Sequence, residues 1–358
     1  MFKKLFGKGG GSKAPKGFYE LTISAITKQT DDTVEVSFDI PSDKQSYFKF
    51  TPGQYINFAI TIDGKEERRS YSICSGPQEK LSVAVKQVEN GKVSTWFNTI
   101  AAAGESIFVS VPEGNFVRPK EAKNIVAIAV GSGITPIMSM AKAAESSDVK
   151  INLFYGSRTM NQVIFKDELS KLTNTKTSHF LSAEAAADCT NSRINKESFT
   201  EVIKSDLEIL KSDGFFICGP EEMIVDIVEV LNTFGVAENK VFYELFTTPT
   251  VLGSKATSSA GGSFSGTSKV TVILDDDSIS FDLASDGSSI LDKVNKEGLD
   301  APYSCKGGVC CTCKAKIIEG NATMTVNYSL TDKEVEDGFI LTCQSHPASE
   351  VLKISYDD

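Results

Sequence analysis

The feature that most constrains this chain is a cluster of cysteines near its C-terminus. The stretch CKGGVCCTC, residues 305–313, holds four of the eight cysteines in the chain, and one more lies 30 positions beyond its end. Leaving out Cys311, the remaining thiols follow the pattern C-x4-C-x2-C with a distant fourth member, which is the spacing of a plant-type [2Fe–2S] site. The predicted metal ligands are Cys305, Cys310, Cys313 and Cys343.

Two other interpretations of the cluster are less consistent with its spacing. Using Cys311 instead of Cys310 gives C-x5-C-x-C, so we expect Cys311 to be a small residue pointing away from the metal. Zinc ribbons favour two separate C-x2-4-C knuckles, whereas here three ligands lie in one loop. Gly307 and Gly308 allow the backbone to approach closely and to turn its N–H groups toward the sulfurs.

Composition and length divide the chain into a tail, three domains and a linker. With 358 residues the chain is too long for one ordinary core. We expect a disordered basic tail (1–16), an antiparallel β-barrel (17–118), an α/β domain with a parallel sheet (119–249), a flexible Gly/Ser linker (250–268) and a small C-terminal domain (269–358). Short apolar alternations such as TVEVSFDI indicate the barrel, and continuous apolar strands alternating with amphipathic helices indicate the parallel sheet.

Charge narrows the possible partners. The net charge is −10, and residues 269–358 carry sixteen acidic residues and eight lysines. Nucleic acid is a poor partner for so acidic a chain. A basic protein surface could dock on it, and a contribution to solubility alone explains the charge equally well. No apolar run reaches the roughly 20 residues that span a bilayer, and the N-terminus lacks a secretory signal, so we expect a cytoplasmic protein without a membrane span.

Motifs for two further groups precede the linker. RSYS (69–72) places an arginine and a tyrosine on one face of a strand, where they can hold a pyrophosphate and a flat ring. GKVS (91–94) opens a helix whose free N–H groups can bind an anion. AVGSGITPIMSM (129–140), which contains GSGITP, is a strand, a glycine loop and a helix start, in which we expect Thr135 to cap the helix and Pro136 to occupy its first turn. Each motif alone is also compatible with ordinary structure.

The ordered series RSYS, GKVS, GSGITP, YGSR, CGPEEM and YELF resembles the ferredoxin–NADP(H) reductase superfamily over residues 17–247. With a β-grasp plant-type ferredoxin domain at the C-terminus, the chain is similar to the reductase components of multicomponent oxygenases. RSYSICSG and YSCKGGVCCTCKAK look most like the reductase subunits of phenylacetyl-CoA epoxidases. Reductases of Rieske-type ring-hydroxylating and ketosteroid-hydroxylating systems are close alternatives, and a stand-alone NAD(P)H oxidoreductase with a small acceptor is another.

The resemblance implies roles for individual residues. The flavin would contact Arg69, Ser70, Tyr71, Ser72, Val85, Lys86, Gly91, Lys92, Val93 and Ser94. The nicotinamide dinucleotide would contact Gly131, Gly133, Thr135, Pro136, Ser157, Arg158, Cys218, Gly219, Pro220 and Met223. Phe246 would cover the flavin, with a place in the core as the alternative, and the residues at the reacting rings would be Tyr71, Thr135, Cys218, Glu244 and Phe246.

Electron counting supports the same order of groups. NAD(P)H supplies two electrons as a hydride and a [2Fe–2S] cluster takes one, so a flavin has to stand between them. The resemblance implies FAD, with FMN as an alternative. Ser157-Arg158 stands where an acidic residue would bind a ribose 2′-hydroxyl, which leans toward NADPH and leaves NADH open. The expected partner is an oxygenase component, reached by a tethered ferredoxin domain that swings between the flavin and that partner.

Overall fold

The computed structural model describes residues 14–251 and 264–357. Most of the predicted tail (1–16) and of the predicted linker (250–268) therefore lies outside the described residues. At the end of the tail, Lys16 forms an ion pair with Asp275 at 2.9 Å.

The first domain is an antiparallel barrel. Its sheet has the strand order β4-β3-β6-β1-β2-β5, and a bridge between Ile73 and Val83 joins the two outer strands. Branched and aromatic side chains alternate inward along the strands and fill the core, as expected for a pleated, half-buried surface. The elements are β1 Phe18–Thr30, β2 Thr33–Asp39, β3 Tyr55–Ile62, β4 Lys65–Ser72, β5 Ser82–Lys86, α1 Lys92–Thr99 and β6 Ser106–Ser110.

The second domain is a parallel sheet with the order β11-β10-β7-β8-β9. Its central strands are apolar throughout because helices cover both faces. The carboxyl ends of β7 and β10 meet at one edge, beside the barrel. The elements are β7 Asn124–Val130, α2 Ile134–Ala144, β8 Lys150–Ser157, α3 Lys166–Leu169, β9 Thr175–Leu181, α4 Lys196–Ser205, β10 Gly214–Cys218, α5 Glu221–Thr233 and β11 Val241–Glu244.

The third domain has a mixed sheet in the order β13-β12-β18-β14-β16 and a small sheet of β15 and β17. The strands β12 and β13 form a hairpin whose turn is Asp275-Asp276, and both of these residues have positive φ. The elements are β12 Thr267–Leu274, β13 Asp277–Ala284, α6 Ile290–Lys296, β14 Lys314–Glu319, β15 Ala322–Met324, α7 Asp332–Glu336, β16 Phe339–Leu341, β17 Ser345–Pro347 and β18 Val351–Ser355.

One predicted boundary is corrected. The linker was expected to run to residue 268, but β12 begins at Thr267, which pairs with Ala284, while Ser268 is buried opposite Leu283. Composition misleads here because Thr and Ser occur in linkers and, when a partner strand is available, also in strands. The predicted fold class of barrel, parallel-sheet domain and C-terminal ferredoxin domain is confirmed. Among the described residues, no helix is both long and apolar enough to span a bilayer.

The C-terminal domain packs against both of the other domains. The side chain of Arg68, which is 4% exposed, pairs with Asp300 at 2.9 Å and lies 4.3 Å from the ring centroid of Tyr303. On the other side, Val309 and Tyr328 pack against the core of the parallel-sheet domain. The segment just before and within the cysteine loop therefore lies where the three domains meet.

Candidate functional site

The four predicted cluster ligands form two pairs. The Sγ atoms of Cys305 and Cys310 are 3.0 Å apart, and Cys313 interacts with Cys343. A zinc ion would need four ligands around one point, whereas a [2Fe–2S] cluster needs two thiolates on each of two irons. The paired arrangement therefore fits the cluster.

The loop between these cysteines supplies N–H groups to the sulfurs. The backbone N–H of Gly307 donates to Cys305 Sγ at 3.4 Å, and Lys306 and Gly308 both have positive φ. The Cys310 thiol and the surrounding backbone N–H groups lower the pKa of Cys305. A lowered pKa favours the thiolate, which is the form that binds metal.

Cys311 is turned away from the pairs, as predicted. Its Sγ lies 3.4 Å from the carbonyl oxygen of Ser329, and its backbone N–H donates to the Tyr55 hydroxyl at 3.0 Å. Burial raises the pKa of the Cys311 thiol to about 12. A thiol held neutral and bonded elsewhere is a poor metal ligand.

On the barrel, two predicted pyrophosphate ligands converge on one anionic group. Lys92 contacts the carboxylate of Glu67 at 2.6 Å, and Arg69 contacts it at 3.3 Å. The side chains of Lys92 and Arg69 are about half exposed. They therefore face a common position that an anion can occupy, beside the start of α1, whose N-cap residue is Gly91.

The other predicted flavin contacts divide into two groups. Tyr71 is half-buried beside the rings of Phe58 and Phe97, and Ser70 and Ser72 flank it on the same strand. The side chains of Val85 and Val93 lie in the barrel core, so only the backbone at these positions can contact a cofactor. Ser94 is also buried, and its hydroxyl donates to the Gly91 carbonyl. Lys86 pairs with Asp32 at 3.5 Å.

The glycine loop after β7 lies very close to the end of β10. A Cβ atom on Gly133 would lie 2.0 Å from the carbonyl oxygen of Cys218, so only glycine fits there. Thr135 does not cap the helix as predicted: α2 begins at Ile134, and the Thr135 hydroxyl donates to the Ser132 carbonyl at 3.0 Å. The glycines provide so tight an entry that the cap position falls on Gly133, and Pro136 lies in the first turn.

Residues from three segments meet beside β4, the strand that contains the RSYS motif. Ser72 Oγ donates to Glu244 Oε2 at 3.1 Å, and Glu244 pairs in register with Cys218 on the next strand. Burial raises the pKa of Glu244 to about 8. Phe246, two residues beyond Glu244, is 45% exposed, which rules out a place in the core.

A cavity of about 470 Å³ opens at the carboxyl edge of the parallel sheet. Of the predicted coenzyme contacts it includes Gly131, Ser157, Arg158, Pro220 and Met223, and Lys86 reaches it from the barrel. Gly133, Thr135, Cys218 and Gly219 lie at the neighbouring strand ends, but they do not line it. The cavity also has lining residues that were not predicted, and the polar ones among them are Gln162, Ser182, Arg193, Asn195, Glu222 and Asp226.

A second group of polar residues, at the contact between the barrel and the cysteine loop, was not predicted from the sequence. Asn57 is fully buried on β3, Glu113 lies beyond β6, and Thr312 lies inside the cysteine loop. The only signal in the sequence was an asparagine within the otherwise apolar strand YINFAI. Nothing local indicated that its partner would lie 255 residues away.

Comparisons with known proteins agree with this arrangement. Residues 20–117 match an oxidoreductase FAD-binding domain, residues 127–229 an oxidoreductase NAD-binding domain, and residues 272–348 a 2Fe-2S iron-sulfur cluster binding domain. The predicted cofactor set of FAD, NAD(P)H and a [2Fe–2S] cluster is thus confirmed at the level of domains.

Whole-length relatives share the same order of domains. The chain is 33% identical over 353 residues to one component of the 1,2-phenylacetyl-CoA epoxidase of Escherichia coli (strain K12), covering 95% of this chain and 98% of the relative. It is 28% identical to the ferredoxin reductase component of 3-ketosteroid-9-alpha-monooxygenase from Rhodococcus rhodochrous, covering 94% and 96%. The fold of phthalate dioxygenase reductase matches with a TM-score of 0.58 at 24% identity, over 95% of this chain and 98% of that one. The chain therefore belongs to the oxygenase reductases of the ferredoxin–NADP(H) reductase superfamily, in which FAD-binding, NAD-binding and [2Fe–2S] domains form one polypeptide.

Proposed function

We propose that this protein is the reductase component of a phenylacetyl-CoA epoxidase and that it supplies electrons from NADPH to the oxygenase component of that complex. The observation that supports this most is the 33% identity to the Escherichia coli epoxidase component over nearly the whole of both chains. Electron transfer from NAD(P)H through FAD and [2Fe–2S] is common to the family. The identity of the oxygenase is the part that we propose.

The residues of the barrel would bind and orient the flavin. Arg69 and Lys92 would hold the pyrophosphate in place of the Glu67 carboxylate that they contact here. Tyr71 would pack on the ring system, and Phe246, exposed at the end of the parallel sheet, would cover it and exclude water. When bound, FAD supplies the conversion of a two-electron hydride donor into one-electron steps.

The residues at the strand ends would place the nicotinamide against that ring. Gly131 and Gly133 would allow the dinucleotide to approach the start of α2, while Thr135, Cys218, Gly219 and the adjacent Pro220 and Met223 would line the ring pocket. Glu244, neutral below a pKa of about 8 and held by Ser72, would put a protonated carboxyl beside the pocket. Hydride transfer itself needs no acid or base from the protein.

The coenzyme we propose is NADPH. Arg158, just after β8, and Arg193, just before α4, both line the cavity together with Ser157 and Ser182. Two guanidinium groups beside hydroxyl groups suit a ribose 2′-phosphate, for which NADH has no counterpart. A ribose 2′-hydroxyl would instead call for a carboxylate directly after β8, where Arg158 stands.

Anaerobic titration tests the electron path. We expect NADPH to bleach the visible absorbance of the flavin and then to produce the EPR signal of a reduced [2Fe–2S] cluster. Titration with NADH serves as the comparison. A purified protein with zinc in the cysteine loop, or with no flavin after reconstitution, would contradict the electron path.

A second assay tests the partner. The reduced protein is mixed with a phenylacetyl-CoA epoxidase oxygenase component and, separately, with a ketosteroid hydroxylase oxygenase component, since a reductase of the latter type is also similar to this chain. We expect product formation only with the epoxidase component. Turnover with the steroid hydroxylase alone would assign the protein to the other system.

A further inference from the structure

A buried polar network connects the barrel to the cysteine loop, and Asn57 lies at its centre. Ser70 Oγ donates to Asn57 Oδ1 at 2.6 Å. The amide nitrogen of Asn57 donates to Thr312 Oγ1 at 3.0 Å and also lies 3.2 Å from Ser110 Oγ. The oxygen and the nitrogen of this fully buried side-chain amide thus both have partners, the oxygen on β4 and the nitrogen on the cysteine loop.

The network reaches the cysteine loop at two places. The hydroxyls of Ser304 and Ser70 are 2.9 Å apart, and Ser304 directly precedes Cys305. Thr312, bonded to Asn57, directly precedes Cys313. Because Cys305 and Cys313 belong to different cysteine pairs, the network is attached to the backbone beside each of the two pairs.

The half-buried carboxylate of Glu113 completes the network. Glu113 accepts hydrogen bonds from Thr312 Oγ1 at 3.0 Å, Asn57 Nδ2 at 3.3 Å and the Tyr55 hydroxyl at 3.4 Å. The Tyr55 hydroxyl in turn accepts from the backbone N–H of Cys311 at 3.0 Å. Because the fully buried Asn57 amide is costly unless its hydrogen bonds are well formed, this network tolerates little displacement of the loop.

We propose that Asn57 and Glu113 are positioning residues that set where the cluster loop lies on the flavin-binding barrel, and thereby the rate of electron transfer from flavin to cluster. The inference rests on the proposed electron path but not on the identity of the oxygenase. Neither residue touches the reacting groups in this proposal. They act by holding Ser304 and Thr312, and through these the backbone beside Cys305 and Cys313.

The main test adds a second negative charge to the network. Asn57→Asp keeps the size of the side chain but replaces the donor that faces Glu113 with a second carboxylate. We expect NADPH to reduce the flavin at the wild-type rate, while cluster reduction in the same stopped-flow experiment slows by about tenfold, because a small displacement of positioned groups has a large kinetic effect. The double variant Asn57→Asp/Glu113→Gln again contains one carboxylate and one amide, and we expect it to recover most of the rate.

Hydrogen exchange supplies a readout that does not depend on turnover. In Asn57→Asp, we expect faster exchange of the loop amides over residues 304–313, and recovery in the double variant. Thr312→Val is the milder variant in case Asn57→Asp does not fold. Its matched control is Thr271→Val, which removes an exposed Thr–Ser hydrogen bond of the same domain, and we expect this control to leave both rates unchanged.

The outcomes separate the inference from the proposed function. An intact flavin and cluster with unchanged cluster reduction in both Asn57→Asp and Thr312→Val would overturn the positioning role while leaving the electron path in place. Slower cluster reduction that the double variant does not recover, with ordinary loop exchange, would also overturn it. Absence of flavin or cluster from the wild-type protein would instead refute the proposed function.

Discussion

At the scale of single residues, two adjacent cysteines have opposite surroundings. Cys310 lies 3.0 Å from Cys305, whereas the thiol of Cys311 faces the Ser329 carbonyl. We expect Cys311→Ala to keep the visible absorbance and EPR signal of a [2Fe–2S] cluster, and Cys310→Ala to lose them, because only the latter removes a thiolate from a pair. Cluster loss in Cys311→Ala together with retention in Cys310→Ala would show that the pairs are wrongly assigned.

Glu244 is expected to make stability depend on pH. Burial raises its pKa from 4.5 to about 8, so the folded protein holds this proton more tightly than the unfolded chain does. Its contribution to stability is complete below about pH 4.5 and is lost as the pH rises through about 8. We therefore expect the melting temperature of the wild type to fall over this pH interval more than that of Glu244→Gln.

The control for Glu244 is an exposed carboxylate of the same domain. Glu238→Gln makes the same change of side chain at an exposed position. We expect its melting temperature to follow the wild type across the pH range. If Glu244→Gln and Glu238→Gln gave the same profile, the Glu244 carboxyl would not carry a raised pKa.

Arg193 is expected to decide the choice of coenzyme. It lines the cavity with Arg158, and a charge-assisted contact to a phosphate contributes enough that its loss weakens binding by about tenfold. We expect Arg193→Ala to raise KM for NADPH by about that factor and to leave KM for NADH nearly unchanged. Lys204→Ala, an exposed cation on α4, is the control. Equal effects on both coenzymes would place Arg193 outside the 2′-phosphate site.

At the scale of elements, the turn between β7 and α2 contains two glycines with different reasons for being glycine. Gly131 has a φ of +57° with open space around its missing Cβ, whereas a Cβ on Gly133 would lie 2.0 Å from the Cys218 carbonyl oxygen. We expect Gly131→Ala to lower the free energy of unfolding by about 1 kcal/mol, which is the cost of a left-handed residue. Gly133→Ala should cost more, about 2–3 kcal/mol, because β10 has to move.

Urea unfolding of the two alanine variants measures this difference. The NADPH affinity is expected to fall in Gly133→Ala as well, since Cys218 and Gly219 move with the end of β10. A larger loss of stability in Gly131→Ala than in Gly133→Ala would contradict the close approach of the loop and the strand.

At the scale of the whole molecule, a buried arginine joins the first and third domains. Arg68 pairs with Glu66 and Asp300 and contacts the Tyr303 ring. We expect Arg68→Ala and Asp300→Ala to show a coupling of about 1 kcal/mol in a double-mutant cycle, since Asp300 is half exposed and its charge is screened by solvent. Unfolding of the third domain is monitored by the loss of cluster absorbance. A coupling near zero would indicate that the domains do not dock through this pair.

The docked arrangement bears on how electrons leave the protein. The Gly/Ser-rich linker predicts that the C-terminal domain swings on it, and residues 252–263 of that linker lie outside the described residues. The structure shows the domain seated on the barrel through Arg68, through the network around Asn57 and through Lys16. The swing thus stays a prediction, and any such motion has to break these contacts.

Much of the fold could be predicted from sequence because its signals are local. Alternating apolar residues indicate the barrel strands, continuous apolar strands with amphipathic helices indicate the parallel sheet, and turn residues such as Asp275-Asp276 mark the hairpin. Local signals fail at Thr135, where the loop geometry moves the cap to Gly133, and at Thr267, where a partner strand turns a linker-like composition into a strand.

By itself, the sequence determined which residues can carry the chemistry, because ligand spacing in the cysteine loop and the order of the glycine motifs depend on near neighbours in the chain. Which of these residues meet depends on how the chain packs in three dimensions. Glu244 accepts a hydrogen bond from Ser72, Arg193 lines the same cavity as Arg158, and Asn57 donates to Thr312, across separations of up to 255 residues. Such contacts have no local signature, since the geometry of a hydrogen bond depends on how whole domains pack and not on the identity of adjacent residues.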